Sequence, residues 1–503
     1  MTKTIQMGLN RVEGDLEVKV SIDNGVVTDA WMIGTMYRGI EKMMAGRAAL
    51  DGLVITPRVC GICSTSHLLA AARALENLSG ATVSHNGRIL RHLVLGAEKL
   101  QNDVRHVALM FAADLTNKRY RNKSLYNEAV ARFQPFSGKS VVEVIQASKK
   151  VPEIIAILGG QWPHSSFIVP GGITSEPSGV DLRQCKMLLV EFLHWYERYI
   201  LGCSIERWQE VQTPDQLDSW LEEESHSESD LGFLIRCGRE YGLDRMGRGH
   251  ESFITVPEHG LPGVASGGAV IGGVLSQGKM KGFVQEKISE QIRYSHYLET
   301  HHGGHPMDSA TRPSVSKDSD KYSWCKAPRY DELVVETGPL AEVMVSKEPL
   351  FQLLAEQNGS SALLREMSRL TRPARLLPLM KGWLDDIDMD SSFYHSPGEF
   401  VEGQGFGLVQ APRGVLGHWL QLSDGCIEHY QIIAPTTWNA SPRDDNGKRG
   451  PIEEALIGTP VKDSNNPVEV GHVVRSFDLC MVCSVHAVSK NGSSLGRVRF
   501  GAC

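Results

Sequence analysis

The sequence predicts an α+β protein, predominantly helical, built as one large body with a central helical bundle and β-containing N-terminal and C-terminal parts. Long stretches in the middle of the 503 residues carry apolar side chains at helical spacing, short alternating runs lie near both ends, and no linker cuts the chain into independent units. With 41% hydrophobic, 22% charged and 7% aromatic residues, the chain can bury a sizeable core, and long disorder is not expected. A net charge of -7 implies no strongly basic face, so nucleic acid is not an expected partner. No run of about 18 apolar residues is present. The opening MTKTIQMGLNRVEGD lacks the apolar core of a signal peptide, so a cytoplasmic protein is expected, membrane-associated only through partners.

Taken in order, Leu16, Val18, Val20 and Ile22 alternate with polar residues before Asn24-Gly25 and a second apolar run, which predicts a hairpin over 16–33. From Gly87 to about Leu115, Leu90, Leu93, Leu100, Val104, Val107 and Phe111 recur at helical spacing and predict one long packed helix. Residues 181–201, 284–299 and 349–370 read as helices too. The acidic stretch 215–230 reads as a solvated surface insertion, and 302–322 as a long loop. After about residue 398, short strands are expected, with a turn at Ser423-Asp424-Gly425.

Ten cysteines are too few for a disulfide scaffold, but four of them form two CxxC pairs, Cys60/Cys63 and Cys480/Cys483. On a helical turn, three-residue spacing puts both sulfurs on one side, with His67 on that face a turn later and Pro57 at the helix start. Cys480, Cys483 and His486 repeat these three-residue steps behind Asp478. On spacing alone, a structural Zn²⁺ held by four thiolates is the commonest outcome. The wide separation of the pairs argues against it, because structural zinc usually staples one small module. Neither pair follows a strand in a βαβ unit, so a thioredoxin-like redox pair fits less well. Cys185, Cys203, Cys237, Cys325, Cys426 and Cys503 are isolated and lack ferredoxin-like spacing, so electrons from a thiolate site would leave through another subunit.

The flanks carry more than the spacing. RVCGICSTSH from Arg58 to His67 and SFDLCMVCSVH from Ser476 to His486 closely resemble the two signatures of nickel-iron hydrogenase large subunits. Arg11-Val12-Glu13-Gly14, GGQWPHSSFIVPGG at 159–172, KAPRYDELVVETGPLA at 326–341, APRGVLGHW at 411–419 and APTTWNASPRD at 434–444 are similar to the same family, in order along nearly the whole chain. The GGQWPHSS, LTNKRYRNK and LGCSIERW stretches look most like the subgroup of cyanobacterial-type uptake enzymes and cytoplasmic hydrogen sensors.

The resemblance implies heterolytic cleavage of dihydrogen at a nickel-iron centre, with Cys60 and Cys480 as terminal nickel ligands. Cys63 and Cys483 would bridge nickel to an iron carrying carbon monoxide and cyanide. Polarizable thiolates suit a nickel that changes redox state. By the same likeness, Cys480 takes the first proton and hands it to Glu13, which by itself reads as a surface carboxylate. Arg413 would stand over the metals and, with Thr436, donate to diatomic ligands of the iron. Asp478, otherwise an N-cap, would hold Arg413 in place. The family's site-facing aspartate on the long helix falls at Asn102, beside Asp103. Glu41, the Ile432 carbonyl and His486 would bind magnesium, with waters completing the octahedron. His67, otherwise a core histidine, would orient a cysteine sulfur, with Arg58 nearby.

Partners implied are an iron-sulfur small subunit, which holds the iron-sulfur clusters, a maturation protease and nickel-insertion factors. Leu479 stands where the family usually has proline. Residues 1–486 would form the hydrogenase domain, and 487–503, a small hairpin around Asn491-Gly492, would be an extension removed once nickel is in place. Sensor versions of the family generally lack that extension, so a hydrogen-sensing subunit is the second expectation behind an uptake enzyme. A metal-free relative at the quinone site of respiratory NADH dehydrogenase is disfavoured, because all four cysteines are present.

Overall fold

The computed structural model describes residues 2–258, 271–298, 304–309, 311–315 and 320–481. At the N-terminus, β1 (Lys3–Leu9), β2 (Leu16–Asp23) and β3 (Val26–Gly34) form an antiparallel sheet in that order. The expected hairpin is there, with Asn24 and Gly25 at φ 49° and 77°, the conformation that a tight two-residue turn requires. β1 carries no alternating signal, since only Met7 among its seven residues is buried.

The helix Ser64–Ser79 ends at Gly80, which adopts the left-handed cap conformation. It lies against the strand Gly403–Ala411, the first of three antiparallel strands completed by Gly414–Ser423 and Cys426–Ile433. A Cβ at Gly407 would stand 1.9 Å from the Ala70 carbonyl oxygen, and one at Gly405 would stand 2.2 Å from that of Ala74. Helix and strand therefore meet backbone to backbone. This contact sets the distance between the first cysteine pair, just ahead of the helix, and Arg413, just past the strand.

In the middle, the helix His85–Arg105 is buried along Leu90, Leu93, Leu100 and Val104 and packs on the long helix Ala362–Asp385, where Gly96 admits Met380. The single long helix expected to run to Leu115 does not persist. It passes into a π turn at His106–Phe111 and a 3₁₀ turn at Ala112–Thr116. The helix over 181–201 is present as Gly179–Trp195 continued by a π turn. The 349–370 region is two helices, Pro349–Asn358 and the start of Ala362–Asp385, broken at Gly359 with φ 76°.

Two expectations fail. The described residues 284–298 form no α-helix: Gln285–Lys287 is a single 3₁₀ turn, Ile288–Gln291 is a strand paired with Ala327–Tyr330, and of the spaced pair Val284 and Ile288 only Ile288 reaches the core. The acidic stretch is not a bare insertion either, because Leu217 and Trp220 anchor the helix Pro214–Glu222 with both side chains fully buried. Their i, i+3 spacing was the missed signal. The loop at 302–322 falls partly outside the described residues, and its described parts hold only isolated bridges.

The chain ends are tied together. Val27 N–H donates to the Thr459 carbonyl, and Val461 N–H to that of Gly25. Glu13 forms a parallel bridge with Cys480. One apolar core runs from Met7 to Met481. Among the described residues no helix is long and apolar enough to cross a membrane.

Candidate metal centre

Cys60 and Cys63 do not sit on one helical face. A 3₁₀ turn, Thr56–Arg58, with Pro57 in its first turn, precedes Cys60, and Cys63 is the N-cap residue of Ser64–Ser79. The pair occupies the turn between these helices, which lets both sulfurs face inward without helical geometry. That helix start is held from a distance: the Thr65 and Ser66 N–H groups donate to the Glu98 carboxylate at 2.8 and 3.1 Å. On the other side Arg38 donates to the Val59 and Arg58 carbonyls at 2.6 and 3.1 Å, and the His164 ring to that of Pro57 at 2.9 Å.

The second arm arrives after the helix Val468–Arg475. Asp478 adopts φ 55°, turning the chain so that Leu479–Met481 runs beside Glu13, with Glu13 N–H donating to the Leu479 carbonyl and Met481 N–H to that of Glu13. Cys480 N–H donates to Thr436 Oγ1 at 2.9 Å, which leaves the threonine hydroxyl proton to donate elsewhere. The result is convergence across 420 positions, with Cys60 Sγ and Cys480 Sγ 3.4 Å apart. Cys63 joins them, all three sulfurs buried and within 4.8 Å of one another. Metal–thiolate bonds of about 2.3 Å place sulfurs at such separations around a shared centre. Cys483 and His486 lie outside the described residues.

Cys63, Cys480, His67, Arg413 and Thr436 line an enclosed cavity of about 10 Å³ whose other walls are apolar. That is roughly the room one water molecule needs. Arg413 donates Nε to Asp478 Oδ1 at 2.9 Å, and its buried Nη1 has no hydrogen-bond partner among the described residues. A buried donor without a partner, beside three soft sulfurs, fits a metal carrying hydrogen-bond-accepting ligands. Burial works against charge on Arg413, but Asp478 and the cysteine sulfurs outweigh it and hold the guanidinium cationic. Burial likewise disfavours the Asp478 carboxylate, yet Arg413, His106 and Arg369 hold it well below the usual carboxylate range.

The Glu13 backbone is at the centre while its carboxyl is half-buried; burial and the neighbouring Cys60 raise its pKa. His67 is buried and pushed down to about 4 by desolvation, hence neutral, and it shares a hydrogen bond with His418 at 3.0 Å, which in turn meets Tyr430 at 2.8 Å. Asn102, not Asp103, reaches Asp478, donating to Oδ2 at 2.7 Å, whereas Asp103 is paired with Arg372. The Arg58 side chain does not join the centre. It is exposed and folds back onto the Val54 carbonyl, and Arg38 is the arginine that supports the cysteine turn. Glu41 is buried with Oε2 unpartnered among the described residues, and desolvation pushes it up to about 7 despite Lys326. The Ile432 backbone hydrogen bonds to its carboxylate.

This geometry defines a buried soft-donor metal centre assembled from both extremities of one polypeptide. The profile of the family described as nickel-dependent hydrogenase matches residues 38–131 and 139–486, and the chain belongs to that family. It is 31% identical to the large subunit of the periplasmic NiFeSe hydrogenase of Desulfomicrobium baculatum, over 95% of this chain and 94% of that protein. To the hydrogenase-2 large chain of Escherichia coli K12 it is 26% identical, over 98% of each. To the uptake hydrogenase large subunit of Bradyrhizobium diazoefficiens it is 27% identical, over 98% and 96%. The crystal structure of the Ni-Fe-Se hydrogenase from D. vulgaris Hildenborough in the reduced state superposes with a TM-score of 0.82 at 30% identity, covering 97% of this chain and all of that one. The protein is thus a hydrogenase large subunit, and the zinc-stapled reading falls away.

Proposed function

We propose that Cys60, Cys63, Cys480 and Cys483 would hold a nickel-iron centre, Cys60 and Cys480 serving nickel alone and Cys63 and Cys483 serving both metals, the iron carrying carbon monoxide and cyanide. When bound, the nickel-iron centre supplies a polarising, redox-active site at which dihydrogen is split heterolytically and gives up two electrons. The chain's own residues manage the proton and the charge. The Cys480 Sγ accepts the first proton and the Glu13 carboxyl receives it in turn; the backbone bridge between the two residues, with Cys60 beside that carboxyl, supports the relay. Burial raises the Glu13 pKa, which suits a group that must bind and release a proton. Arg413 is electrostatic support rather than the base, because a guanidinium paired with Asp478 keeps its proton. Arg413 Nη1 and the Thr436 hydroxyl are the donors toward cyanide.

Magnesium is assigned to Glu41, the Ile432 carbonyl and His486; the unpartnered oxygen of Glu41 supports this. Electrons pass to an iron-sulfur small subunit. Residues 487–503 are assigned as an extension removed by a maturation protease after nickel-insertion factors have acted; the family match ending at 486 supports this boundary. The GGQWPHSS and LGCSIERW stretches support the cyanobacterial-type uptake subgroup, with cytoplasmic placement and peripheral membrane attachment through partners. The extension, together with relatives named as uptake enzymes, favours turnover over hydrogen sensing.

The observation that carries this reading is the 3.4 Å approach of Cys60 and Cys480 sulfurs beneath Arg413. Copurification with the small subunit and a hydrogen-dependent dye-reduction assay test it. Hydrogen-driven reduction by the complex is expected, and a metal-loaded complex inert to hydrogen would overturn the assignment.

A further inference from the structure

We propose that His106 is a positioning residue for hydrogen turnover: by bridging Asp478 and Glu366 it fixes the carboxylate that aims Arg413 at the cysteine sulfurs. The inference rests on the hydrogenase reading above. Arg413 is anchored through Nε on Asp478 Oδ1, so any rotation of Asp478 swings the guanidinium within a cavity of about 10 Å³. What prevents that rotation lies one layer further out. His106 Nδ1 sits 3.0 Å from the same Oδ1, and Asn102 Nδ2 donates to Oδ2 at 2.7 Å. Asn102 and His106 are one helical turn apart, so one helix face grips both carboxylate oxygens. The π turn begins at His106, a distortion common at functional sites.

The second ring nitrogen of His106 faces Glu366 Oε1 at 3.3 Å. A neutral imidazole has one N–H and can donate to only one of two carboxylates, whereas an imidazolium donates to both. Burial opposes that charge, but Asp478 and Glu366 outweigh it and raise the His106 pKa. The other charged groups here are Arg369, with Nε 3.7 Å from Asp478 Oδ2 and Nη1 3.0 Å from Glu366 Oε1, and Arg413 beyond Asp478. His106, Arg369, Asp478 and Glu366 are all at least 96% buried at their side chains. His106, Arg369 and Arg413 thus compensate Asp478 and Glu366 in one buried block, where neutralising His106 leaves one of its two carboxylates short of a donor in a low-dielectric interior.

The test uses the His106→Gln holoenzyme purified with its small subunit. Gln keeps a donor for Asp478 but cannot carry the charge or reach both carboxylates. Expected are unchanged nickel and iron contents, kcat for hydrogen oxidation lowered about ten- to a hundredfold with KM for dihydrogen unchanged, and displaced infrared bands of carbon monoxide and cyanide. A crystal structure of the variant should show the Arg413–Asp478 contact lengthened from 2.9 Å. Glu366→Gln, which leaves the His106–Asp478 contact in place, should displace the bands in the same direction with a smaller rate loss, and it decides the matter if His106→Gln fails to fold. Wild-type rate and bands in a metal-loaded variant would overturn the proposal. So would a slower enzyme with unmoved bands and an unmoved Arg413, or loss of metal in Glu366→Gln, which would mark the block as purely structural. Absence of nickel or of the bands in the wild-type complex would instead sink the underlying hydrogenase reading.

Discussion

Two buried carboxylates, Asp478 and Glu41, share an environment that penalises charge and meet opposite fates. Asp478 is wrapped by Arg413, His106, Asn102 and Arg369 and stays ionised. Glu41 keeps one oxygen unpartnered among the described residues, with Lys326 engaged by Glu290, and its pKa rises to about 7. Burial alone therefore does not decide which carboxylate carries charge; the neighbours do. The compensated acid is a fixed part of the scaffold that holds a cation over the sulfurs. The uncompensated one has room in its electrostatics for a further cation, as the magnesium assignment requires.

The most severe way to break the Asp478 side is to remove the ligand two residues beyond it. Cys480→Ser should abolish hydrogen oxidation and deplete nickel while circular dichroism shows a folded subunit; full activity in purified protein would contradict the thiolate role. Glu13→Gln leaves the metals and Arg413 in place and should slow hydrogen–deuterium isotope exchange by about a hundredfold or more, and an unchanged exchange rate would reject the relay. Arg413→Lys retains a positive charge but loses the planar fork, so turnover should fall about tenfold, with metal content intact.

The Glu41 side makes a milder, pH-dependent prediction. In the metal-free chain its folded pKa of about 7 stands above the ordinary 4.5, so the folded state holds the proton more tightly. The stability tied to that proton is present below 4.5 and is lost as pH rises toward 7. Denaturant midpoints should fall across this window, Mg²⁺ should restore them above pH 7, and Glu41→Gln should lessen the fall and abolish the Mg²⁺ response. Glu98, likewise pushed up to about 7 by burial, adds a slope of the same sign that Glu98→Gln would remove.

The convergence of Cys60, Cys63 and Cys480 with Arg413, Thr436 and Asp478 was legible in the sequence because each sits inside a local motif whose flanks carry the family's pattern. The hairpin at Asn24-Gly25 and the bundle helices were legible from periodicity. What the sequence does not show is the support around that centre: Arg38 on the cysteine turn, Glu98 on a helix start, and His106 with Glu366 behind Asp478 are long-range contacts with no local signature. The helix expected over 284–299 rested on apolar spacing and the solvated reading of 215–230 on acidic composition; in both, tertiary packing overrode the local signal, through Ile288 in a strand and through the buried Leu217 and Trp220. Arg58 failed as a site residue for the converse reason: lying inside a motif does not fix where a side chain points.

A nickel-iron centre shared by thiolates from both chain extremities is read out by elemental analysis of the purified, processed complex together with its infrared spectrum. Equimolar nickel and iron with bands of metal-bound carbon monoxide and cyanide are expected; zinc in place of nickel, with no such bands, would contradict it.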